Sequence, residues 1–297
     1  MRVFLLILRL LPGRFLSRVT GWLALRRFPP ALQGTINRGF ARAFRVDMRE
    51  ADGSPGDYPS LSSFFVRRLI DGTRSWPVDP MSPGSPADGV LGPLGRLERG
   101  SAIQAKGITY RVSELLGNLE AQAFESGLFL TIYLSPRHYH RVHVPCRARL
   151  HTARAVSGRL LPVHPSVATI QEGLFTGNER LVMLMESSGA SLAVVAIGAC
   201  NVGSIGADFD PKWQCGQGLG VTNRRKRHVV ARSYEPPIVL NRGDPLATFY
   251  LGSTVVVLVG GDQRAALHPE LRVGSEVRLG MPILDGPLRA RTPSVLG

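Results

Sequence analysis

Tyr250-Leu251-Gly252-Ser253-Thr254-Val255-Val256-Val257-Leu258-Val259 couples a turn-forming Gly-Ser pair to an apolar, mostly β-branched run. β-branched side chains suit a pleated, buried surface, so the run predicts a strand. Gly and Ser are ordinary turn residues, and a plain turn-to-strand junction is the simplest account of the pair.

Similar short runs recur on either side. They cover 128–134, 147–156, 181–185, 192–197, 202–205, 247–258 and 275–279. Short strands at close spacing, separated by turns, predict antiparallel pairing. The N-terminal part has a different texture. Residues 1–50 read as helical with breaks at Pro12-Gly13 and Pro29-Pro30, and Leu32, Ile36, Phe40 and Phe44 recur at helical spacing. A further helix is expected over 60–69 and a short one over 112–116. The Pro- and Gly-rich stretch 71–86 reads as a loop. The expectation is an α+β fold: a mainly antiparallel β sandwich or barrel-like core with N-terminal amphipathic helices. Its division is a helical, membrane-associating region over 1–70 and a β-rich domain over 71–297.

The chain has 297 residues, is 44% hydrophobic and carries a net charge of +14. That charge points to an anionic partner surface, either nucleic acid or acidic lipid. Cys146, Cys200 and Cys215 are odd in number and widely spaced, which argues against a disulfide framework or a cysteine zinc site. The apolar stretch at 3–8 is too short to span a bilayer, which takes roughly 20 residues. Phe4, Leu5, Leu8, Phe15, Trp22 and Leu23 alternate with Arg2, Arg9, Arg14, Arg18, Arg26 and Arg27. This is the pattern of a helix lying in a membrane interface, though an apolar face packed on the core would also read so. The basic run Arg224-Arg225-Lys226-Arg227 reads as a solvated loop or a headgroup contact.

Two other stretches bear on Ser253. One is Leu134-Ser135-Pro136-Arg137-His138-Tyr139-His140-Arg141-Val142-His143, with three histidines in six residues. The other is Ser85-Pro86-Ala87-Asp88-Gly89. A carboxylate can orient an imidazole that takes a proton from a hydroxyl, so Asp88, His143 and Ser253 form a candidate relay. In an extended segment, His140 and His143 would point to opposite faces, so a turn between them is needed to bring both to one site. Imidazole also suits zinc, but no second cluster completes a set, and no catalytic metal is expected.

With these residues in place the chain resembles the phosphatidylserine decarboxylase family of bacteria and mitochondria. The resemblance runs from about Phe64 to the end. It rests on Phe64-Phe65-Val66-Arg67, Pro86-Ala87-Asp88-Gly89, Gln104-Ala105-Lys106-Gly107, Tyr139-His140-Arg141-Val142-His143, Asn178-Glu179-Arg180, Gly198-Ala199, Val202-Gly203-Ser204-Ile205 and Leu251-Gly252-Ser253-Thr254. Pro245-Leu246 departs from the family pattern, and residues 208–235 do not align readily.

The resemblance implies self-cleavage between Gly252 and Ser253 into chains 1–252 and 253–297, with Ser253 becoming a covalent pyruvoyl group. That group would capture the amine of phosphatidylserine and support loss of CO₂ to give phosphatidylethanolamine. Asp88, His143 and Ser253 would serve the cleavage, and His140 would be the proton donor in decarboxylation. Arg137 and Arg141 are candidates for holding the substrate's phosphate or carboxylate. A homodimer on the cytoplasmic face of the inner membrane, with no nucleic-acid partner, completes the expectation.

Two readings compete. A lipid-acting serine hydrolase could use the same three residues, but G-x-S-x-G occurs nowhere in the chain. A basic adaptor for membranes or nucleic acid would explain the charge but not the motifs.

Overall fold

The structure, a computed structural model, describes residues 20–118, 121–199, 205–213, 221–222, 229–250, 253–261 and 264–289. Its strands are β1 (Gly89–Leu97), β2 (Ser101–Ala105), β3 (Ile108–Arg111), β4 (Gly127–Leu134), β5 (Arg141–His143), β6 (Ala148–Val156), β7 (Arg180–Ser187), β8 (Ala190–Gly198), β9 (Ile205–Ala207), β10 (Val229–Leu240), β11 (Pro245–Phe249), β12 (Ser253–Gly260) and β13 (Glu276–Val277). Eight of them form one antiparallel sheet in the order β10-β6-β7-β8-β12-β4-β1-β13. A second sheet has the order β5-β11-β9, and β2 and β3 form a hairpin. The architecture is the expected β-dominated α+β fold. The large sheet is open, with β10 and β13 at its edges, and does not close as a barrel.

β12 occupies the middle of the sheet, between β4 and β8. All eight of its residues are buried, as are all eight of β4. An apolar run without alternation is what a strand covered on both faces requires. The run expected as one strand over 247–258 is two strands in two sheets. β11 pairs with β5 and β9, then the chain crosses and β12 pairs with β4 and β8. The Gly252–Ser253 bond falls in this crossover; Leu251 and Gly252 themselves lie outside the described residues. Residues 202–204, expected as strand, also lie outside them, and β9 begins at Ile205.

Residues 20–25 are helical, followed by α1 (Pro30–Phe44) and α2 (Leu61–Phe65). α2 is shorter than the helix expected over 60–69. Ser60 caps it, its side chain accepting the Ser63 N–H while Ser63 reaches back to the Ser60 N–H. α1 turns a mixed face inward, with Phe40 packed against Phe64 and Ala41 beside its polar residues. Its buried residues are Gln33, Gly34, Asn37 and Ala41. Asn37 donates to the carbonyls of Pro55 and Tyr58, and Gln33 donates to Asn37. Leu32 and Phe44, two members of the apolar stripe, are exposed. Among the described residues, no helix is long and apolar enough to cross a membrane. The basic residues at 224–227, Cys200, Cys215 and the apolar positions before residue 20 lie outside the described residues. Cys146 is buried, its thiol donating to Ser187 Oγ at 3.4 Å.

Candidate active site

Ser253 opens β12, directly opposite Leu134 of β4 and Gly198 of β8. It is buried, and its Oγ has no hydrogen-bond partner among the described residues. A buried hydroxyl without a partner is uncommon in folded proteins; Tyr110, Thr131 and Thr254 share the condition, and Ser253 is the one that follows the Gly-Ser junction.

β1 runs on the far side of β4, with Val90 opposite Tyr133, the residue that also faces Thr254. Asp88, which leads into β1, therefore leaves the sheet at the same end as Ser253, two strands away or roughly 10 Å between backbones. Gly89 makes this approach possible, since a Cβ there would come 2.4 Å from Ile132 Cγ2 and 2.6 Å from the Tyr133 carbonyl oxygen. The Asp88 carboxylate is held by Arg74, through Nε at 3.1 Å and Nη2 at 2.6 Å, and by the Leu279 N–H at 2.7 Å. Glu50 accepts from Arg74 on its other side at 2.9 Å. Arg74 and Asp88 share a cavity of about 200 Å³ with Arg67, Arg137, His138 and Tyr139.

His143 joins Asp88 through the backbone: its N–H donates to the Pro86 carbonyl at 2.8 Å. Its Nδ1 donates to the Gly243 carbonyl at 2.7 Å, which leaves Nε2 as the acceptor. Nε2 lies 3.1 Å from the Tyr139 hydroxyl, which burial pushes up to about 12 and so keeps as a donor. The two rings stack. Burial, and then the Arg141 charge, lower the His143 pKa; the Gly243 carbonyl opposes this most, followed by Asp208 and last by Asp88. Asp88, His143 and Ser253 are thus brought to one end of the fold without being hydrogen-bonded to one another. Gly243 occupies the Nδ1 position that a relay carboxylate would take.

His140 is fully buried just before β5. No turn separates it from His143. Burial alternates along the segment, with His140 and Val142 inside and Arg141 and His143 half-buried, so the two imidazoles face opposite sides. The His140 ring lies 4.0 Å from that of Phe65. Its Nδ1 donates to the His138 carbonyl at 2.8 Å, and its Nε2 has no partner among the described residues. Burial first, and then the Arg67 charge, push its pKa down to about 3. The carbonyls of His138 and, less strongly, of Leu134, the residue facing Ser253, act in the other direction. A nucleophilic hydroxyl at a sheet crossover, two neutral imidazoles with one basic nitrogen each and a clamped carboxylate are the parts for acyl transfer to a serine and for moving protons.

The phosphatidylserine decarboxylase family model matches residues 61–285. A phosphatidylserine decarboxylase proenzyme from Anaeromyxobacter sp. (strain K) is 38% identical over 288 residues, covering 95% of this chain and 98% of that protein. One from Halorhodospira halophila is 42% identical over 277 residues, covering 91% and 89%. One from Azotobacter vinelandii is 40% identical over 291 residues, covering 93% and 97%. The chain belongs to the phosphatidylserine decarboxylase family.

In this member of the phosphatidylserine decarboxylase family the two arginine candidates are engaged within the protein. Arg137 pairs with Glu276, and Arg141 donates through Nε to the Val66 carbonyl at 3.0 Å. His138 closes its own turn, its Nδ1 accepting the Ser135 N–H at 2.9 Å. Sequence reasoning missed Arg74, Tyr139 and the Gly243 carbonyl, which hold Asp88 and His143. Arg74 sits in a loop and gives no periodic signal. Tyr139 lies within the family motif, where the neighbouring histidines drew attention instead. Glu179 belongs to the Asn178-Glu179-Arg180 motif. It is buried behind the Ser253 row, where a Cβ at Gly198 would meet its Cγ at 3.2 Å.

Proposed function

We propose that this chain is a phosphatidylserine decarboxylase that converts phosphatidylserine to phosphatidylethanolamine and makes its own pyruvoyl cofactor from Ser253. The observation that carries this is the buried, unpartnered Ser253 Oγ at the crossover into β12, in a chain of this family.

In the cleavage, His143 Nε2 takes the proton of Ser253 Oγ once Tyr139 releases it. The Gly243 carbonyl keeps Nδ1 protonated, so Nε2 is the basic nitrogen. Asp208 and, less strongly, Asp88 supply negative charge that favours the imidazolium. The oxygen attacks the Gly252 carbonyl carbon, and an ester replaces the amide. Loss of the Ser253 α-proton expels the Gly252 carboxylate and leaves dehydroalanine. Tautomerisation and addition of water then release ammonia.

The site fits a pyruvoyl group: the group is made in place, where the orphaned Ser253 hydroxyl already sits and where the sheet excludes water. When formed, it withdraws electrons from the substrate's Cα so that CO₂ can leave. His140 is the proton carrier. Its Nδ1 hydrogen is committed to the His138 carbonyl, so Nε2 is the nitrogen that exchanges a proton with the substrate.

Attachment is peripheral, through residues 1–45, to the cytoplasmic leaflet of a bacterial inner membrane. The exposed Trp22, Leu23, Leu25, Phe28, Leu32 and Phe44 support this, as does Arg26 lying 4.0 Å over the Trp22 ring. The active form is a homodimer, for which the open β10 edge is an available surface.

Intact mass tests the self-processing. Active protein is expected as two chains split at Gly252–Ser253, the smaller with a blocked N-terminus. A single 32.3 kDa species with full decarboxylase activity would refute it.

A further inference from the structure

We propose that Arg67 is a positioning residue for His140: its guanidinium grips the turn before β5 and, through a carbonyl the two side chains share, sets which imidazole nitrogen carries the hydrogen. The inference rests on the reading of His140 as proton carrier. Arg67 is 3% exposed. Its Nη2 donates to the Arg137 carbonyl at 2.9 Å and, more weakly, to the His138 carbonyl at 3.4 Å. The His138 carbonyl is also the acceptor for His140 Nδ1. Arg67 and His140 therefore converge on one oxygen, and that oxygen holds the His140 hydrogen on Nδ1 and leaves Nε2 bare.

The charge of Arg67 has neither the ion pairs of Arg74 nor the carbonyl acceptors that Arg180, the other buried arginine, has on all three of its nitrogens. Arg74 is paired with both Asp88 and Glu50. Among the described residues, no carboxylate lies within ion-pair distance of Arg67, and its Nε and Nη1 have no partner. A buried, unpaired cation is costly, and its retention calls for a return. The groups around His140 identify that return. From α2 comes the uncharged Phe65 ring. From β4 comes the Leu134 carbonyl, and β11 offers the Phe249 N–H to the His140 carbonyl. His138 on its own loop is half-buried, with its pKa lowered by burial. Arg67 is the fixed charge that acts on the imidazole, and it makes the imidazolium a stronger acid.

The test uses self-processed full-length protein with ¹⁵N-labelled histidine, in wild type, R67Q and R67K, with H140Q to assign the signal. Correct cleavage into two chains reports that each variant has folded. In wild type His140 is expected as the Nδ1–H tautomer. In R67Q the Nδ1 preference weakens and the apparent pKa rises by at least about one unit, the size expected for loss of a neighbouring like charge. R67K, which keeps the charge, restores most of the wild-type titration. In parallel, kcat for decarboxylation falls in R67Q more than in R67K, with KM little changed.

His140 signals in R67Q that match wild type in tautomer and titration overturn the proposal. So do equal effects of R67Q and R67K, which would mean that shape rather than charge matters. Full decarboxylation by H140Q, with the R67Q shift still present, supports the hold of Arg67 on His140 and instead removes His140 from the reaction.

Discussion

Ser253 lies directly opposite Leu134, so the candidate nucleophile and the turn that carries His138 and His140 leave the sheet side by side. The partner sheet completes the arrangement. The Phe249 N–H donates to the His140 carbonyl at 3.0 Å, only four residues before Ser253. The segment containing the Gly252–Ser253 bond is therefore anchored at one end beside His140 and at the other beside Leu134. Two sheets meet at this point, and the bond proposed to break is the connection between them.

The opposite facing of the two imidazoles separates their roles. His143→Ala is expected to leave the chain uncut, because Ser253 loses its base. His140→Ala is expected to be cut but to decarboxylate about 10²–10⁴-fold more slowly, the usual contribution of a general acid or base. A denaturing gel and a CO₂-release assay on both variants check this. An uncut His140→Ala beside a normally cut His143→Ala would reverse the assignment.

Arg74 should be a stability hot spot as well as a support for Asp88. Its side chain is 8% exposed, and it bridges Asp88, 11% exposed, and Glu50, 22% exposed. Arg74→Met would leave two carboxylates without their cation in a poorly solvated site. Breaking a buried pair in this way costs about 3–5 kcal/mol. Urea unfolding should show the loss, and cleavage should slow because Asp88 is no longer held. Unchanged stability would mean that water replaces the guanidinium without penalty.

The sheet was legible in the sequence where strands are uniformly apolar, as in β4, β8 and β12. It was illegible where local pattern and tertiary role part. β1 carries three glycines and a proline among nine residues and does not read as a strand, yet it pairs along most of its length because glycine at position 89 admits Ile132 and Tyr133. β10 alternates exposed and half-buried residues at the sheet edge and is interrupted by Pro236 and Pro237, so it does not read as one strand. The apolar stripe of α1 was visible, but its direction was not. Only the buried hydrogen bonds of Gln33 and Asn37 show that a mixed face turns inward. At the candidate site, the residue types of Asp88, His140, His143 and Ser253 were legible. Their partners were not, since main-chain carbonyls such as Gly243 and His138 leave no mark in a sequence.

Acid should weaken this protein through His140. Its pKa of about 3 lies below the ordinary 6.5, so as pH falls the unfolded chain takes up the proton first. Stability from this group is complete above about pH 6.5 and is lost progressively as pH falls toward 3, at up to about 1.4 kcal/mol per pH unit. His140→Gln removes that proton from the balance. Its stability should fall less steeply than wild type between pH 7 and pH 5, by close to one proton's slope. His143, also depressed, keeps part of the slope in the variant. Parallel urea midpoints for the two proteins across that range would show that His140 is charged, or solvated, in the folded state.

The membrane reading is best tested by point substitutions, because removing residues 1–45 would also take away the Gln33–Asn37 face and Phe40, whose ring lies 6.1 Å from Phe64 and 6.0 Å from Phe65. Phe65 in turn packs against His140, so truncation would disturb the site as well as the anchor. Trp22, Leu23, Phe28 and Leu32 are 54%, 50%, 40% and 49% exposed and can be changed with little loss of core. Full burial of such side chains is worth about 1.5–3 kcal/mol each, and half-exposed ones have roughly half of that left to gain from a bilayer. Replacing all four by serine should therefore weaken binding to phosphatidylserine vesicles by well over tenfold, since about 1.4 kcal/mol is a factor of ten. Arg26→Gln with Arg27→Gln should weaken it further, by about 1 kcal/mol per charge, and only on anionic vesicles at low salt. Self-cleavage should be unaffected in both sets, as Asp88, His143 and Ser253 lie elsewhere in the fold. Flotation with equal recovery of wild type and the serine variant would place the membrane contact on another surface.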